Sequence, residues 1–331
     1  MIESNLPTIF LALMGLSVLI YAMLDGYDLG VGILLPMDSR EQRDKMIASI
    51  GPFWDANETW LVLAIGILLI AFPTAYSLVL KELYIPIALM LVALILRGVA
   101  FDFRAKAITR LQNRWDRLFK LGSITTALTQ GYSLGMYVMG FEHSLHAYGF
   151  ALLSAAGVTA AYAYIGGAWL VLKTEGEVQK YAAKWGRRGG WLAAIGIGAI
   201  CITNPMINES VAARWFTLPE AILLLPVPLM CIVLVVVVDR YLRRVPHASD
   251  FGCWIPFTGA ASLFVLSLLG LAYSYFPYVV PNRLTAIESA SASESLMFVF
   301  YGVAIVFPVI LAYTGLSYWI FRGKSTELKY W

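Results

Sequence analysis

Nine apolar runs, each long enough to cross a bilayer, leave this chain few folds to choose from. They fall at about 7–35, 54–72, 81–100, 119–139, 148–172, 190–207, 219–238, 254–276 and 297–321, and a membrane helix needs about 20 mostly apolar residues. Of the 331 residues, 60% are hydrophobic and 14% charged, against about 45–50% and about 25% in an ordinary soluble domain. A soluble core has no use for that much apolar surface, so the natural solvent for it is lipid. The reading is an all-α integral membrane protein of about nine transmembrane helices, one polytopic domain over 1–331. No cleavable signal sequence is expected, because the first apolar run begins almost at once and runs past Asp25. No soluble domain fits between the runs, so chemistry on a substrate outside the membrane is excluded, and no nucleic-acid partner is expected.

The basic residues orient the runs. Of the 24 Lys and Arg, 21 lie at the ends of the odd-numbered runs or in the loops after them, and only Lys81, Arg214 and Arg283 fall on the other side. Basic loops stay in the cytoplasm, so the N-terminus is expected outside and the C-terminus inside. An even number of spans would break the alternation.

Against this frame the acids stand out. Gly51-Pro52-Phe53-Trp54-Asp55-Ala56-Asn57-Glu58 puts two carboxylates at the cytoplasmic head of run two, where a helix N-terminus favours negative charge. Asp25 lies eleven residues before Pro36, about 16 Å inside the cytoplasmic end of run one at about 1.5 Å per residue. Asp28 follows one turn later on the same helix face. Arg97, at the inner end of run three, is the expected counter-ion, and Asp102 the residue that could share it. An acid inside a membrane is a functional-site hypothesis by default. A ladder of carboxylates from the cytoplasm inward suits proton uptake, while a buried ion-pair network with Asp55 as a helix cap is the structural alternative. Residue types do not choose between them, though depth favours function for Asp25.

The remaining chemistry is sparse. His143, His146 and His247 fall in loops, away from any pocket wall where haem could be ligated, so no haem is expected in this chain. The H-x-x-H pair reads as a solvated loop rather than a metal site. Cys201, Cys231 and Cys253 form no C-x-x-C pair and read as small apolar fillers. Most tryptophans, among them Trp54, Trp60, Trp191 and Trp319, sit near expected helix ends as interfacial anchors. Pro226, Pro228 and Pro308 are expected to kink their helices rather than break them. Gly26, Gly30, Gly196 and Gly198 are expected to let helices approach closely, and the Ser/Ala-rich stretch 287–294 reads as a flexible turn or a partner contact.

Four stretches together resemble subunit II of the cytochrome bd-type ubiquinol oxidases: Leu-Asp-Gly-Tyr-Asp-Leu-Gly-Val-Gly (24–32), Gly-Pro-Phe-Trp-Asp-Ala-Asn-Glu-Thr-Trp-Leu (51–61), Arg-Gly-Val-Ala-Phe-Asp-Phe-Arg (97–104) and Gly-Gly-Ala-Trp-Leu-Val-Leu-Lys-Thr-Glu-Gly (166–176). The resemblance covers the whole chain. It implies two four-helix bundles plus a peripheral helix, in a heterodimer in the bacterial inner membrane with a haem-bearing subunit I. The two b-type haems and haem d would sit in that partner, quinol would be oxidised on the outer side, and oxygen would be reduced to water with protons drawn from the cytoplasm. Asp25 and Asp55 match the family's acids on the proton path, with Glu58, Asp28, Arg97 and Asp102 as supporting residues. Some members of the family hold a structural quinone in this subunit, and some complexes carry a small single-helix subunit. The wording of 53–59 and the short chain look like the cyanide-insensitive branch. A proton-coupled secondary transporter could use the same acids, but the paired broken helices of two repeats are not legible.

Overall fold

The computed structural model describes residues 2–218, 220–246 and 251–325; His247, Lys329, Trp331 and the side chain of Arg110 lie outside what it describes. The chain runs α1 (Ile2–Leu34), α2 (Arg40–Ile50), α3 (Trp54–Ala71), α4 (Pro73–Glu82), α5 (Tyr84–Lys106), α6 (Thr109–Val138), α7 (Leu145–Lys173) and α8 (Gly176–Ile207). It continues with α9 (Glu209–Phe216), α10 (Glu220–Leu224), α11 (Pro226–Leu242), α12 (Ile255–Tyr275), β1 (Tyr278–Val280), β2 (Leu284–Thr285), α13 (Ala286–Ser289) and α14 (Ser293–Ile320). Seven of the described helices, α1, α3, α5, α7, α8, α12 and α14, are long and apolar enough to cross a membrane. The other two expected runs fall on α6, which mixes Ser, Thr and Gln into its apolar face, and on α11, which is only 17 residues long.

α1 is the hub, packing on α3, α6, α7, α12 and α14. α5 joins through α6, while α7, α8, α11 and α12 pack among themselves, and α14 lies outside with only 11% of its apolar window buried. Close approach at the hub depends on glycine. A Cβ on Gly30 would lie 1.9 Å from the Tyr162 carbonyl oxygen, and one on Gly166 would lie 2.5 Å from the Gly30 backbone, so α1 and α7 meet backbone to backbone. Gly196 faces Gly157 in the same way, whereas Gly198 meets nothing within 4 Å.

Helix ends gather on two faces. On one, Lys120 donates to the Leu35 carbonyl (2.8 Å), Tyr181 to that of Leu34 (3.0 Å) and the Ser325 amide to that of Lys173 (2.8 Å). On the other, Ser291 donates to the Ala71 carbonyl (2.9 Å), Tyr137 to that of Val279 (2.5 Å) and Arg283 to that of Phe141 (3.2 Å). The strongly basic loops therefore share one face and the sparsely basic loops the other.

Several local expectations are corrected. Run seven is broken, because Pro226 and Pro228 start a new helix where a missing N–H costs nothing, and Leu225 separates α10 from α11. Pro308 stays inside a continuous α14. The stretch after α12 is ordered: a two-strand hairpin precedes α13, whose Thr285–Glu288 capping box is complete. Trp60 is a core residue, 1% exposed against Phe307, rather than an anchor. α5, α6 and α8 also run well past their apolar stretches into charged sequence, where Arg104, Asp116 and Arg187 find partners across helices.

Candidate functional site

The buried acids and Arg97 meet where α1, α3 and α5 converge. Arg97 Nη1 donates to Asp25 Oδ1 and to Glu58 Oε1, each at 2.8 Å. Asp25, Asp28 and Arg97 have no exposed surface, while the Glu58 side chain is 28% exposed. The guanidinium also lies 5.8 Å from the centre of the Phe119 ring. One cation thus bonds two carboxylates, with a third, Asp28, buried one turn along α1 from Asp25, in an interior where charges demand partners. The demand is not fully met: Asp25 Oδ2, Asp28 Oδ1 and Arg97 Nε and Nη2 are buried without a hydrogen bond among the described residues. Such atoms are places where a water or a further polar group can bind.

Asp28 turns away from the cation toward Asn57, whose Nδ2 donates to Asp28 Oδ2 (2.8 Å) and to the Tyr27 hydroxyl (2.9 Å). Tyr318, from α14, donates to Asn57 Oδ1 (3.1 Å) and lies 2.6 Å from the Tyr27 hydroxyl. With Tyr318 donating to Asn57, Tyr27 must donate to Tyr318, so the three side chains close a ring. A closed ring clamps α14 onto α1 and α3. Tyr27 also stacks on Trp169, 4.1 Å between ring centres. On the other side of Asp25, one turn back along α1, the Tyr21 hydroxyl accepts from Gln130 Nε2 (2.5 Å) and Gln130 Oε1 accepts from Tyr162 (2.8 Å). This leads polar groups from Asp25 toward α6 and α7.

Asp55 is exposed in the first turn of α3, three residues before Glu58 and on the same face. It is not the helix cap, since Phe53 holds that position without a side-chain bond. Asp102 does not share Arg97. Five residues on, it is rotated about 140° around α5, and it is exposed. His143, also exposed, bonds Glu82 and Tyr148, each at 2.9 Å.

Asn57, Tyr27, Tyr318, Gln130, Tyr21 and Tyr162 escaped the sequence reading, because an uncharged polar residue in an apolar run gives no electrostatic alarm. Asn57 was the legible one, a lone amide between two acids.

The profile of the family described as cytochrome bd terminal oxidase subunit II matches residues 6–321. The chain belongs to this family. It is 26% identical to the cytochrome bd-I ubiquinol oxidase subunit 2 of Escherichia coli K12, over 95% of this chain and 94% of that one. It is likewise 26% identical to the cytochrome bd ubiquinol oxidase subunit 2 of Bacillus subtilis 168, over 93% of each. Its fold is that of a chain in the bd oxidase of Geobacillus thermodenitrificans, with a TM-score of 0.72 at 17% identity over 94% of this chain and 98% of that one. With membership of the cytochrome bd subunit II family shown, the transporter reading is not favoured.

Proposed function

We propose that this chain is the haem-free partner of a haem-bearing subunit I in a quinol oxidase of the bacterial cytoplasmic membrane, and that its acids carry protons from the cytoplasm toward the oxygen-reducing site. The chain would cross the membrane nine times, N-terminus periplasmic and C-terminus cytoplasmic, as the charge asymmetry of its two faces indicates. In this reading the two b-type haems and haem d fall to subunit I, as the family resemblance implies. Those haems supply the oxygen and electron chemistry; this chain delivers protons.

The observation that carries the reading is a gradient of exposure through linked acids. Asp55 is exposed, Glu58 one turn on is partly exposed, and Asp25 is fully buried, with Arg97 bridging the last two. Each step moves a carboxylate further from water while keeping it next to the one before. Arg97 holds Glu58 and Asp25 on the same nitrogen, and Asp25 Oδ2, which has no hydrogen bond among the described residues, is open to a donor such as a water.

Asp25→Asn and Asp55→Asn in the whole complex test this. Asp25→Asn is expected to leave the haem spectra normal and lower quinol-dependent oxygen uptake on the order of 10²-fold, the size of a lost proton-transfer group. Asp55→Asn, at the solvated entrance, is expected to lower it less. Unchanged uptake in both variants would remove these residues from the path, and loss of the complex would make the cluster an ion-pair lock.

A further inference from the structure

At the basic end of the molecule, a cleft of about 260 Å³ opens between the ends of α7, α12 and α14, lined by Leu172, Cys253, Trp254, Arg322, Gly323 and Lys324. Its lining holds two cations and no carboxylate. The Arg322 guanidinium is exposed, lies 5.2 Å from the centre of the Trp319 ring, and makes no ion pair among the described residues. The backbone that carries it is pinned: buried Lys173 donates to the Phe321 and Gly323 carbonyls, Lys324 donates to that of Thr174 (3.2 Å), and Ser325 donates to that of Lys173 from its amide and its hydroxyl. α12 begins here with Trp254 as a cap that makes no side-chain bond, so the positive end of its dipole adds to the same field. Aromatic residues lie in the lining or next to it in the chain: Trp254 lines the cleft, Trp319 stacks on Arg322, and Phe251 and Phe321 neighbour the lining residues in sequence. Phe251, Trp254, Trp319 and Phe321 are exposed by 85%, 56%, 61% and 49%, and their positions at helix ends are those of an interfacial belt.

We propose that this cleft binds the phosphodiester headgroup of an anionic phospholipid. The positive cleft takes the phosphate, and the exposed aromatics and the lipid-facing side of α14 take the acyl chains. Basic pockets among helix ends on the cytoplasmic side suit this ligand class. A free phosphate is an anion of at least equal charge but has nothing to bury against four exposed aromatic side chains, so the rim selects the lipid source. The site is separate from the Arg97 cluster, and its failure would leave the proton-path reading where it stands.

The test is native mass spectrometry of the intact oxidase complex, delipidated in detergent, with phosphatidylglycerol, phosphatidylcholine and inorganic phosphate as probes. Arg322→Gln removes one cation while keeping the Lys173 and Lys324 contacts that fix the tail. Its affinity for phosphatidylglycerol is expected to fall about fivefold, the effect of about one charge at a membrane surface. Adding Lys324→Gln deepens the loss, and oxygen uptake at saturating lipid stays at the wild-type value. Equal phosphatidylglycerol binding by the wild type and Arg322→Gln overturns the site. Equal binding of phosphatidylcholine overturns the role of the cations, and displacement of the lipid by inorganic phosphate overturns the lipid source. The single variant decides the matter if the double one does not assemble.

Discussion

Among the described residues, two clusters of arginine and carboxylate side chains are centred on fully buried groups, and they are built in opposite ways. At the basic end, Asp116 accepts from Arg43 Nε (2.7 Å) and from Arg104; Arg104 also donates to Asp44, and Arg43 to Asn113 (2.5 Å) and to the carbonyls of Pro36 (3.2 Å) and Met37 (3.0 Å). Buried Arg43 and Arg104 face buried Asp116 and the more exposed Asp44, which Arg40 also approaches at 3.7 Å, and none of these arginine or aspartate side chains has a buried polar atom without a partner among the described residues. The Arg97 cluster instead pairs one cation with two carboxylates, has Asp28 bonded to an amide beside them, and leaves four polar atoms without a hydrogen bond among the described residues. The first arrangement is what a lock between α2, α5 and α6 requires. The second is poor as a lock, since buried charges stabilise only when fully paired, and it makes sense where protons must come and go.

Breaking the lock should cost the most. Asp116→Ala leaves Arg43 and Arg104 buried without their shared anion, so a loss of about 3–5 kcal/mol is expected, read as lost assembly or a sharply lower melting point of the purified complex. A complex as stable as wild type would erase the contrast between the clusters. Next comes the ring beside Asp28: Asn57→Leu strips Tyr27, Tyr318 and Asp28 of their common partner, and about 1–3 kcal/mol is expected from the same melting measurement. Its oxygen uptake should fall less than that of Asp25→Asn, because the ring closes on itself; a larger fall would put Asn57 on the path. Asp102→Asn should do least. Exposed and turned from Arg97, it should alter stability by no more than about 0.5 kcal/mol and leave oxygen uptake unchanged, and a large effect would give it a contact this chain alone does not show.

Much of the Arg97 cluster was legible in the sequence because charge in an apolar run has so few ways to survive. Asp25, Glu58 and Arg97 had to find one another, and they do. The lock was harder to see. Arg43, Arg104 and Asp116 sit in basic loops that look solvated, and only the three-dimensional return of α5 and α6 buries them. Asp102 was misplaced by counting residues without the helical rotation that five residues impose. The Tyr27–Asn57–Tyr318 ring joins residues up to 291 apart, with no charge to announce it. Hydropathy makes run seven look like one helix, because it does not register that Pro226 can begin a helix as readily as bend one.

The central claim is that the unpaired cluster moves protons while the paired one holds helices. Proton uptake by the reduced complex on mixing with oxygen, followed in Asp25→Asn with a pH indicator on the cytoplasmic side of reconstituted vesicles, tests it most directly. The account predicts uptake slowed on the order of 10²-fold with the haem spectra unaltered. Uptake at the wild-type rate in a fully assembled Asp25→Asn complex would contradict it.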